Sequence, residues 1–195
     1  MESYSFFAMM ARLKWIDRWA LMRNSSDENL AEHSLEVAML AHALCMIGNE
    51  YLGESLNPDR AAVIGMYHDA SEILTGDMPT PIKYFNRQIR SAYKDIEKDA
   101  NMRLLQLLPQ NLRAQYTHVL DPGVEFVREK LLVKGADKLS AYLKCIEERK
   151  AGNREFESAE RSTLQALHEM KLEEVEIFLR EFIPAYEKTL DEIRP

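Results

Sequence analysis

Three ionisable side chains, His68, Asp69 and Glu72, lie close together in the otherwise apolar or small segment from Met66 to Asp77. In a helix, adjacent residues project about 100° apart, so the His68 ring and the Asp69 carboxylate can converge on one ion. Glu72 follows one turn later on the same side. Burying such groups is costly unless they are paired, which leaves two interpretations: a His–Asp hydrogen bond in a helical core, or a divalent cation. An isolated pair favours the first, so a metal site requires further ligands elsewhere.

Helical periodicity dominates the rest of the chain. Apolar residues recur at spacings of three and four in most segments. Seven Gly and seven Pro in 195 residues are few for a turn-rich all-β fold. No repeat or interdomain linker is evident, and a chain of this length can bury roughly 70% of its unfolded surface as one domain. We therefore expect an all-α, single-domain helical bundle spanning residues 1–195.

The first amphipathic helix is predicted from Phe6, Met10 and Leu13. It leads to Arg18 and Trp19, just before a polar stretch. This pair has two interpretations. Trp19 could fill the core while Arg18 stays on the surface, or the two could present a fork of donors for a phosphate beside a flat apolar wall for a sugar or base.

The second helix is predicted to begin at a capping box formed by Asn29 and Glu32. His33 falls on its core-facing stripe. An inward-facing histidine is more often a hydrogen-bonded core residue than a metal ligand. The histidine–aspartate pair on the next helix strengthens the ligand interpretation.

The third helix is predicted to start at Asn57–Pro58, a cap followed by proline at the first position, and to end near Gly76. The stretch Asp77–Pro81 is too rich in proline for a helix and is predicted as a loop at the mouth of the site. Asp77 and Thr80 in this loop could bind a ligand or be ordinary turn residues.

The remaining chain predicts further helices, with one more candidate ligand. Asp137 shares a helix face with Ser140 and Ala141, whose small side chains would let another helix and a metal approach, although an isolated Asp is more often a surface residue. Nothing after residue 154 suggests chemistry. The predicted helices run from Ile82 to a stop at Pro109, from Gln110 to Leu120, from Glu125 to Glu148, and, as C-terminal packing helices, within 154–190.

Charge and cysteine usage restrict the partners and the compartment. A net charge of −7 argues against a surface for nucleic-acid polymers, while a small phosphorylated ligand could still meet local Arg and Lys. Cys45 and Cys145 lie in apolar helical stretches and are expected to be buried free thiols, as in a reducing cytosol. No secretory signal is evident, and the apolar run Val37–Ile47 is shorter than the roughly 18 residues of a membrane span. We expect a cytoplasmic protein without a membrane partner.

His33, His68–Asp69 and Asp137 follow the order H…HD…D on three helices. This pattern resembles the HD-domain metal-dependent phosphohydrolases, and two imidazoles with two carboxylates suit a borderline divalent ion. The sequence around these residues resembles the bacterial 5'-deoxynucleotidases, a small HD-domain family. The resemblance covers essentially the whole chain, with signature elements from 13 to 148. The matching segments are DRW at 17–19, LMR at 21–23, EHS at 32–34, YHDASEILTGDMPTPIKYFN at 67–86 and ADKLSAYLKC at 136–145.

The resemblance implies hydrolysis of deoxyribonucleoside 5'-monophosphates to deoxyribonucleoside and phosphate. It further implies a homodimer with one divalent metal ion per subunit, cobalt, manganese or another borderline transition metal. The implied metal ligands are His33, His68, Asp69 and Asp137. Glu72 would act on the attacking water and Arg18 on the phosphate, as catalytic residues. The implied substrate-binding residues are Arg18, Trp19, Asp69, Asp77, Met78, Pro79, Thr80 and Asp137.

Two alternatives stay open from the sequence. One is an HD-domain hydrolase for another nucleotide, such as a triphosphate, a cyclic nucleotide or a guanosine alarmone. The other is a non-catalytic helical binding protein, which the presence of Glu72 and every expected ligand disfavours. His118 is the one histidine between Asp69 and Asp137, which favours a single metal over two. No residue is assigned as the acid for the departing 5'-oxygen.

Overall fold

Helices form nearly all of the regular structure in the computed structural model, which describes residues 3–83, 85–123 and 125–193, without the side chains of residues 80 and 81. Within these ranges the β-type pairing is an isolated antiparallel bridge between Asp17 and Asn29. The predicted all-α fold is confirmed. The α-helices are α1 (Phe6–Met10), α2 (Leu30–Leu52), α3 (Pro58–Tyr67), α4 (Glu72–Thr75), α5 (Thr80–Lys83), α6 (Arg87–Gln106), α7 (Gln110–Leu120), α8 (Val127–Lys150), α9 (Glu157–Glu169), α10 (Glu173–Glu181) and α11 (Ile183–Tyr186), with 3₁₀ turns at Ala11–Trp15, Arg154–Phe156 and Leu190–Glu192.

Helix α2 is the central helix, and it begins where the capping box predicts. The Asn29 side chain accepts the N–H groups of Ala31 and Glu32 at 3.0 and 3.1 Å, while the Glu32 carboxylate accepts the Asn29 N–H at 3.3 Å. Length and composition alone would let this helix cross a membrane, but 56% of its most apolar 18-residue window is buried inside the bundle. Core packing therefore accounts for its apolar character.

Two groups of buried apolar side chains hold the helices together. The larger lies between α2, α3, α8 and α10 and includes Leu44, Leu139 and Val175. Each fully buried side chain of this size contributes about 1.5–3 kcal/mol. The smaller group joins α1, α6 and α7 to the turn after α3, and consists of Phe6, Ala70, Leu104, Leu108 and Leu120.

Helices α2 and α3 touch through their backbones at Gly65. A Cβ atom built on Gly65 would lie 2.9 Å from Ala38 Cα and 3.1 Å from Ala38 N. A larger residue would therefore force the two helices apart. The contact lies one turn before His68, so it sets how close the end of α3 comes to α2.

The third helix differs from its prediction, because α3 ends at Tyr67 instead of continuing to Gly76. The next residues form tight turns with i→i−3 bonds, from Ala70 N–H to Tyr67 O and from Glu72 N–H to Asp69 O. The Gly65 carbonyl accepts the His68 ring nitrogen Nδ1 at 2.8 Å. The His68 side chain thus binds the Gly65 carbonyl, which in a continuous helix would accept a backbone N–H. The helix therefore ends, and the chain turns at His68 and Asp69.

The predicted helix from Ile82 is also corrected, since the long helix α6 begins at Arg87. Its cap is Asn86, whose side chain accepts a first-turn N–H at 2.8 Å. The short helix α5 covers part of the predicted loop, and a proline in its first turn is compatible with helix because that position needs no N–H donor. Ile82 and Phe85 are 50% and 75% exposed, so neither packs into the core.

A buried carboxylate fastens the segment before α2 to α8. Glu148 is fully buried and accepts Ser25 Oγ at 2.6 Å, Lys144 Nζ at 2.5 Å and Asn153 Nδ2 at 2.7 Å. Burial alone would raise the pKa of Glu148, but these hydrogen bonds outweigh it and lower the pKa to about 2. The polar stretch that follows Arg18 and Trp19 is thereby held against the core.

Replacing Gly65 with alanine tests the backbone contact. We expect Gly65→Ala to lower the free energy of unfolding by about 1–3 kcal/mol, because the new methyl group meets backbone that cannot rotate away. Gly135→Ala is the matched control, since its Cβ would meet the movable side-chain tips of Val175 and Leu172 at 3.1 and 3.3 Å. Urea titration of both variants measures the difference, and equal losses would contradict the prediction.

The low pKa of Glu148 predicts a specific acid sensitivity. An unfolded glutamate titrates near pH 4.3, so Glu148 stabilises the fold fully above that pH and loses its contribution as the pH falls from about 4.3 towards about 2. At pH 7, Glu148→Gln should cost roughly 3–5 kcal/mol because it leaves Lys144 buried without its partner. Chemical denaturation across this pH range measures the free energy of unfolding, which should fall less steeply with decreasing pH in Glu148→Gln than in the wild type. Glu147→Gln, at the exposed neighbouring position, should behave as wild type.

Candidate active site

Four of the predicted ligand residues meet at one place between α2, α3 and α8. His33 Nε2 lies 3.5 Å from Asp69 Oδ2 and 3.2 Å from Asp137 Oδ1. His68 Nε2 lies 3.0 and 3.9 Å from the same two oxygens. The ligand atoms of His33, His68 and Asp69 all fall within 4.8 Å of one another, a spacing compatible with one bound metal ion.

Both imidazoles present the same nitrogen to this centre. Ser140 Oγ donates to Glu36 Oε2 at 2.5 Å, so the Nδ1 of His33, 2.9 Å from Ser140 Oγ, is the donor in that contact. The Nδ1 of His68 donates to the Gly65 carbonyl. In the neutral form of each ring, Nε2 therefore carries a lone pair, and within the described residues neither Nε2 has a hydrogen-bond partner. Imidazole nitrogens with an unused lone pair and a fixed ring orientation are suited to bind a metal ion.

The electrostatics of the centre favour a positive charge. Burial would raise the pKa of Asp69 and of Asp137, yet the neighbouring imidazoles hold both pKa values below the ordinary range. Burial would likewise lower the pKa of His68, but the Asp69 carboxylate outweighs it and raises the pKa to about 9. The field that favours a proton on this ring also favours a divalent cation, so the donor set fits a metal.

Glu72 lies beside the ligand cluster and is nearly fully buried. One of its oxygens, Oε1, is 3.6 Å from Lys83 Nζ, which in turn contacts Glu97 at 2.9 Å. The other oxygen, Oε2, has no hydrogen-bond partner among the described residues. Burial, together with the Asp69 charge, raises the pKa of Glu72 to about 8. A carboxyl group with this pKa can exchange a proton near neutral pH.

A cavity of about 630 Å³ opens beside these groups, and a smaller one of about 220 Å³ adjoins it. Pro79 lines the smaller cavity, and the side chain of Thr80 lies outside the described part of the structure. The residues that line both are Arg18, Trp19, Met22, Asp77 and Met78. The larger cavity is also lined by Asp69, Glu72, Lys83, Asp137, Lys138, Ala141, Ser158, Ala159, Ser162 and Thr163.

The Glu28 carboxylate binds both Arg18 and Trp19, two of the predicted substrate-binding residues that line this cavity. Arg18 Nη1 donates to both oxygens of Glu28 at 2.9 and 3.0 Å, and Trp19 Nε1 donates to Glu28 Oε2 at 2.9 Å. Trp19 has a left-handed backbone with φ of 58°, and its ring packs 5.3 Å from that of Phe156. An aromatic residue rarely adopts this conformation, so local contacts must hold it there.

The family described as 5'-deoxynucleotidase YfbR-like matches residues 5–186 of the chain. The chain belongs to this family. The curated 5'-deoxynucleotidase of Vibrio cholerae is 50% identical over 193 residues, covering 99% of this chain and 100% of that protein. This identity confirms the family resemblance predicted from the sequence.

Solved structures confirm the HD-type helical fold. An HD-domain phosphohydrolase from Listeria innocua superposes with a TM-score of 0.81 at 24% identity, covering 93% of this chain and 88% of that one. The cyanophage S-2L HD phosphohydrolase, solved with dA and one catalytic Zn²⁺ ion, gives a TM-score of 0.62 at 18% identity, covering 93% and 96%. The YfbR-like chain therefore has the architecture of this wider group.

Several residues of this YfbR-like site have no clear signal in the sequence. Glu28 lies in a polar stretch without helical periodicity, Lys83 falls within the predicted helix from Ile82, and the contacts of both depend on distant partners. Ser140 is notable in the sequence only for its small size. Helix α9, predicted as a packing helix, also contributes polar residues to the cavity wall.

The bond from Ser140 to His33 predicts an effect on metal affinity. We expect Ser140→Ala to weaken Mn²⁺ or Co²⁺ binding about 10- to 100-fold, because outer hydrogen bonds orient a ligating imidazole. Ser34→Ala is the control, since Ser34 Oγ is buried beside His33 but has no partner among the described residues. Competition against a chelator measures both affinities. Equal affinity in the two variants would contradict this role for Ser140.

Proposed function

We propose that this chain is a metal-dependent hydrolase that converts deoxyribonucleoside 5'-monophosphates to deoxyribonucleoside and phosphate. The observation that carries the proposal is that two imidazole nitrogens without a hydrogen-bond partner among the described residues meet two carboxylates. These carboxylates line one cavity together with Arg18 and Glu72. Family membership and the activity named for the Vibrio cholerae relative support the same reaction.

We assign His33, His68, Asp69 and Asp137 as the ligands of one divalent ion, cobalt, manganese or another borderline metal. When bound, such an ion lowers the pKa of water and offsets charge on a phosphoryl group. The described side chain of His118 is exposed on α7, which supports one metal per subunit. The Zn²⁺ ion of the cyanophage enzyme supports the same class of ion.

Glu72 is proposed to orient the attacking water and to take its proton. Its free oxygen, its burial and its pKa of about 8 suit a proton acceptor that works close to neutral pH. The Lys83 ammonium contacts the other oxygen and limits the rotation of the carboxylate. Arg18 is proposed to bind the phosphate, since a guanidinium forms charge-assisted hydrogen bonds with phosphate oxygens.

The nucleoside is proposed to occupy the space between Trp19 and the loop that contains Asp77, Met78, Pro79 and Thr80. Trp19 offers an apolar wall, and Asp77 can accept a hydrogen bond from a 3'-hydroxyl. Packing near Trp19 is proposed to exclude a 2'-hydroxyl. The polar wall of α9 completes the enclosure without an obvious base-specific pattern. The homodimer, the cytoplasmic location and the single domain over residues 1–195 stay predictions from the sequence.

Phosphate release from deoxyribonucleotides and ribonucleotides tests the proposal. Protein stripped by a chelator and reloaded with Mn²⁺ or Co²⁺ should release phosphate from deoxyribonucleoside 5'-monophosphates, and much more slowly from the ribo forms. Glu72→Gln and Asp137→Asn should each lower kcat/KM by at least about 100-fold. Both variants replace a carboxyl group with an amide of nearly the same volume, and Asp137→Asn also removes a negative charge.

Asp59→Asn provides the control, because it removes the same charge from an exposed position at the far end of α3. It should keep full activity. Release of pyrophosphate or triphosphate from longer nucleotides, with no action on monophosphates, would contradict the proposal and favour another HD-domain activity. Activity that survives in both Glu72→Gln and Asp137→Asn would contradict the assigned site.

A further inference from the structure

Glu28 is a nearly buried carboxylate that binds Arg18 and Trp19 at once, and both are predicted to bind the substrate. Its side chain is 13% exposed, and its two oxygens accept three hydrogen bonds, two from Arg18 Nη1 and one from Trp19 Nε1. A carboxylate that accepts several N–H groups holds each of them in a defined direction. No other side chain in the described residues is shown to bond both of these groups.

The backbone places Glu28 opposite Arg18 independently of the side chains. Arg18 N–H donates to the Glu28 carbonyl at 2.9 Å, and Leu30 N–H donates to the Ile16 carbonyl at 3.0 Å. These bonds pair two short antiparallel segments around the Asp17–Asn29 bridge. The Glu28 carboxylate therefore lies beside the Arg18 guanidinium because the backbone pairing fixes their relative positions. Asn29, which forms this pairing, also caps α2.

Arg18 has other acidic neighbours that could capture it. Burial opposes its charge, yet the fields of Glu28, Asp137, Asp69 and Asp77 raise the pKa of Arg18 above its ordinary value. Two of these competitors belong to the proposed metal cluster. If Glu28 did not bind Nη1, the guanidinium would be drawn towards those carboxylates and away from a phosphate. Binding at the Nη1 end leaves Nη2 and Nε for phosphate oxygens.

Trp19 depends on the same carboxylate for a different reason. Its left-handed backbone is unfavourable for an aromatic residue, and its ring contacts Phe156, at 5.3 Å between centroids, and the Arg18 guanidinium, at 5.6 Å from the ring centroid. The bond from Nε1 to Glu28 defines the rotation of the indole about these contacts. Loss of the bond would leave the ring free to tilt, so the wall beside the cavity would change its shape.

We propose that Glu28 is the positioning residue for both halves of the substrate site. It holds Arg18 for the phosphate and orients Trp19 for the nucleoside, so one carboxylate sets the spacing between the two subsites. The inference rests on the proposed function for the identity of the substrate. The positioning of the two side chains itself can be measured without any turnover.

The experiment uses Glu28→Gln, with Asp27→Asn as the matched control. Asp27 is exposed in the same loop, and its substitution removes the same charge. Both changes are made in a Trp15→Phe background, which leaves Trp19 as the one tryptophan in the chain. Four quantities are measured on metal-loaded protein: the Trp19 emission spectrum, the calorimetric affinity for inorganic phosphate, the calorimetric affinity for deoxyadenosine, and the affinity for Mn²⁺.

We expect Glu28→Gln to shift the Trp19 emission and to weaken phosphate binding about tenfold or more, since hydrogen bonds to charged groups are lost. The affinity for deoxyadenosine should fall as well, while Mn²⁺ affinity stays within about twofold of wild type. Where monophosphates are hydrolysed, the variant should raise KM more than it lowers kcat. In an Arg18→Ala background, Glu28→Gln should have no further effect on phosphate affinity, because the guanidinium through which it acts is gone.

Three results would overturn the inference. One is emission and phosphate affinity equal to those of Asp27→Asn. Another is a loss of phosphate affinity as large without Arg18 as with it. The third is a fall in Mn²⁺ affinity that matches the fall in phosphate affinity, which would place the effect at His33, 3.8 Å from Glu28. If Glu28→Gln does not fold in a thermal melt, Glu28→Asp, which keeps the charge but shortens the reach, is judged by the same three criteria.

These readouts also separate the inference from the proposed function. Protein that hydrolyses no deoxyribonucleoside monophosphate would contradict the function, while the emission, phosphate and Arg18-background measurements would still decide the role of Glu28. Hydrolysis with an unshifted Trp19 and unchanged phosphate affinity would contradict the role of Glu28 alone.

Discussion

The backbone contact between α2 and α3 at Gly65 is the constraint on which the site depends. It holds the helix that carries His33 against the helix that ends just before His68, and the two imidazole rings lie 5.1 Å apart between centroids. The same glycine supplies the carbonyl that binds His68 Nδ1. One position therefore sets the distance between two proposed ligands and the orientation of one of them. A side chain there would disturb both at once.

Charge compensation is the second organising principle of the molecule. Buried carboxylates at Asp69 and Asp137 stand against imidazoles, Glu72 stands against Lys83, and Glu28 stands against Arg18. Each pairing leaves one atom or one face uncommitted, as the free Oε2 of Glu72 illustrates. A site built in this way keeps its polar groups aligned without a ligand, and binding then requires little reorganisation.

The support of the site extends well beyond the cavity. Glu148 holds the loop before α2 by accepting hydrogen bonds from the backbone N–H and the hydroxyl of Ser25, and that loop carries Glu28. Ser140 Oγ accepts a hydrogen bond from His33 Nδ1 and donates one to Glu36 on α2. Helix α8 thus supplies the proposed metal ligand Asp137 and two separate anchors. Its packing against α2 couples the stability of the bundle to the geometry of the centre.

The sequence by itself determined the all-α class, the capping box at Asn29, the metal-ligand pattern and the family. The helical class and the cap are local features, which short-range periodicity reveals. The ligand pattern and the family depend on residue order, which motif spacing reveals. Only the folded structure shows that α3 stops before His68 and that Ile82 and Phe85 are exposed. It also shows that Glu28 binds Arg18, that Ser140 binds His33 and that α9 lines the cavity. These outcomes depend on which groups meet across the bundle, and contacts between distant segments leave no periodic trace in the chain.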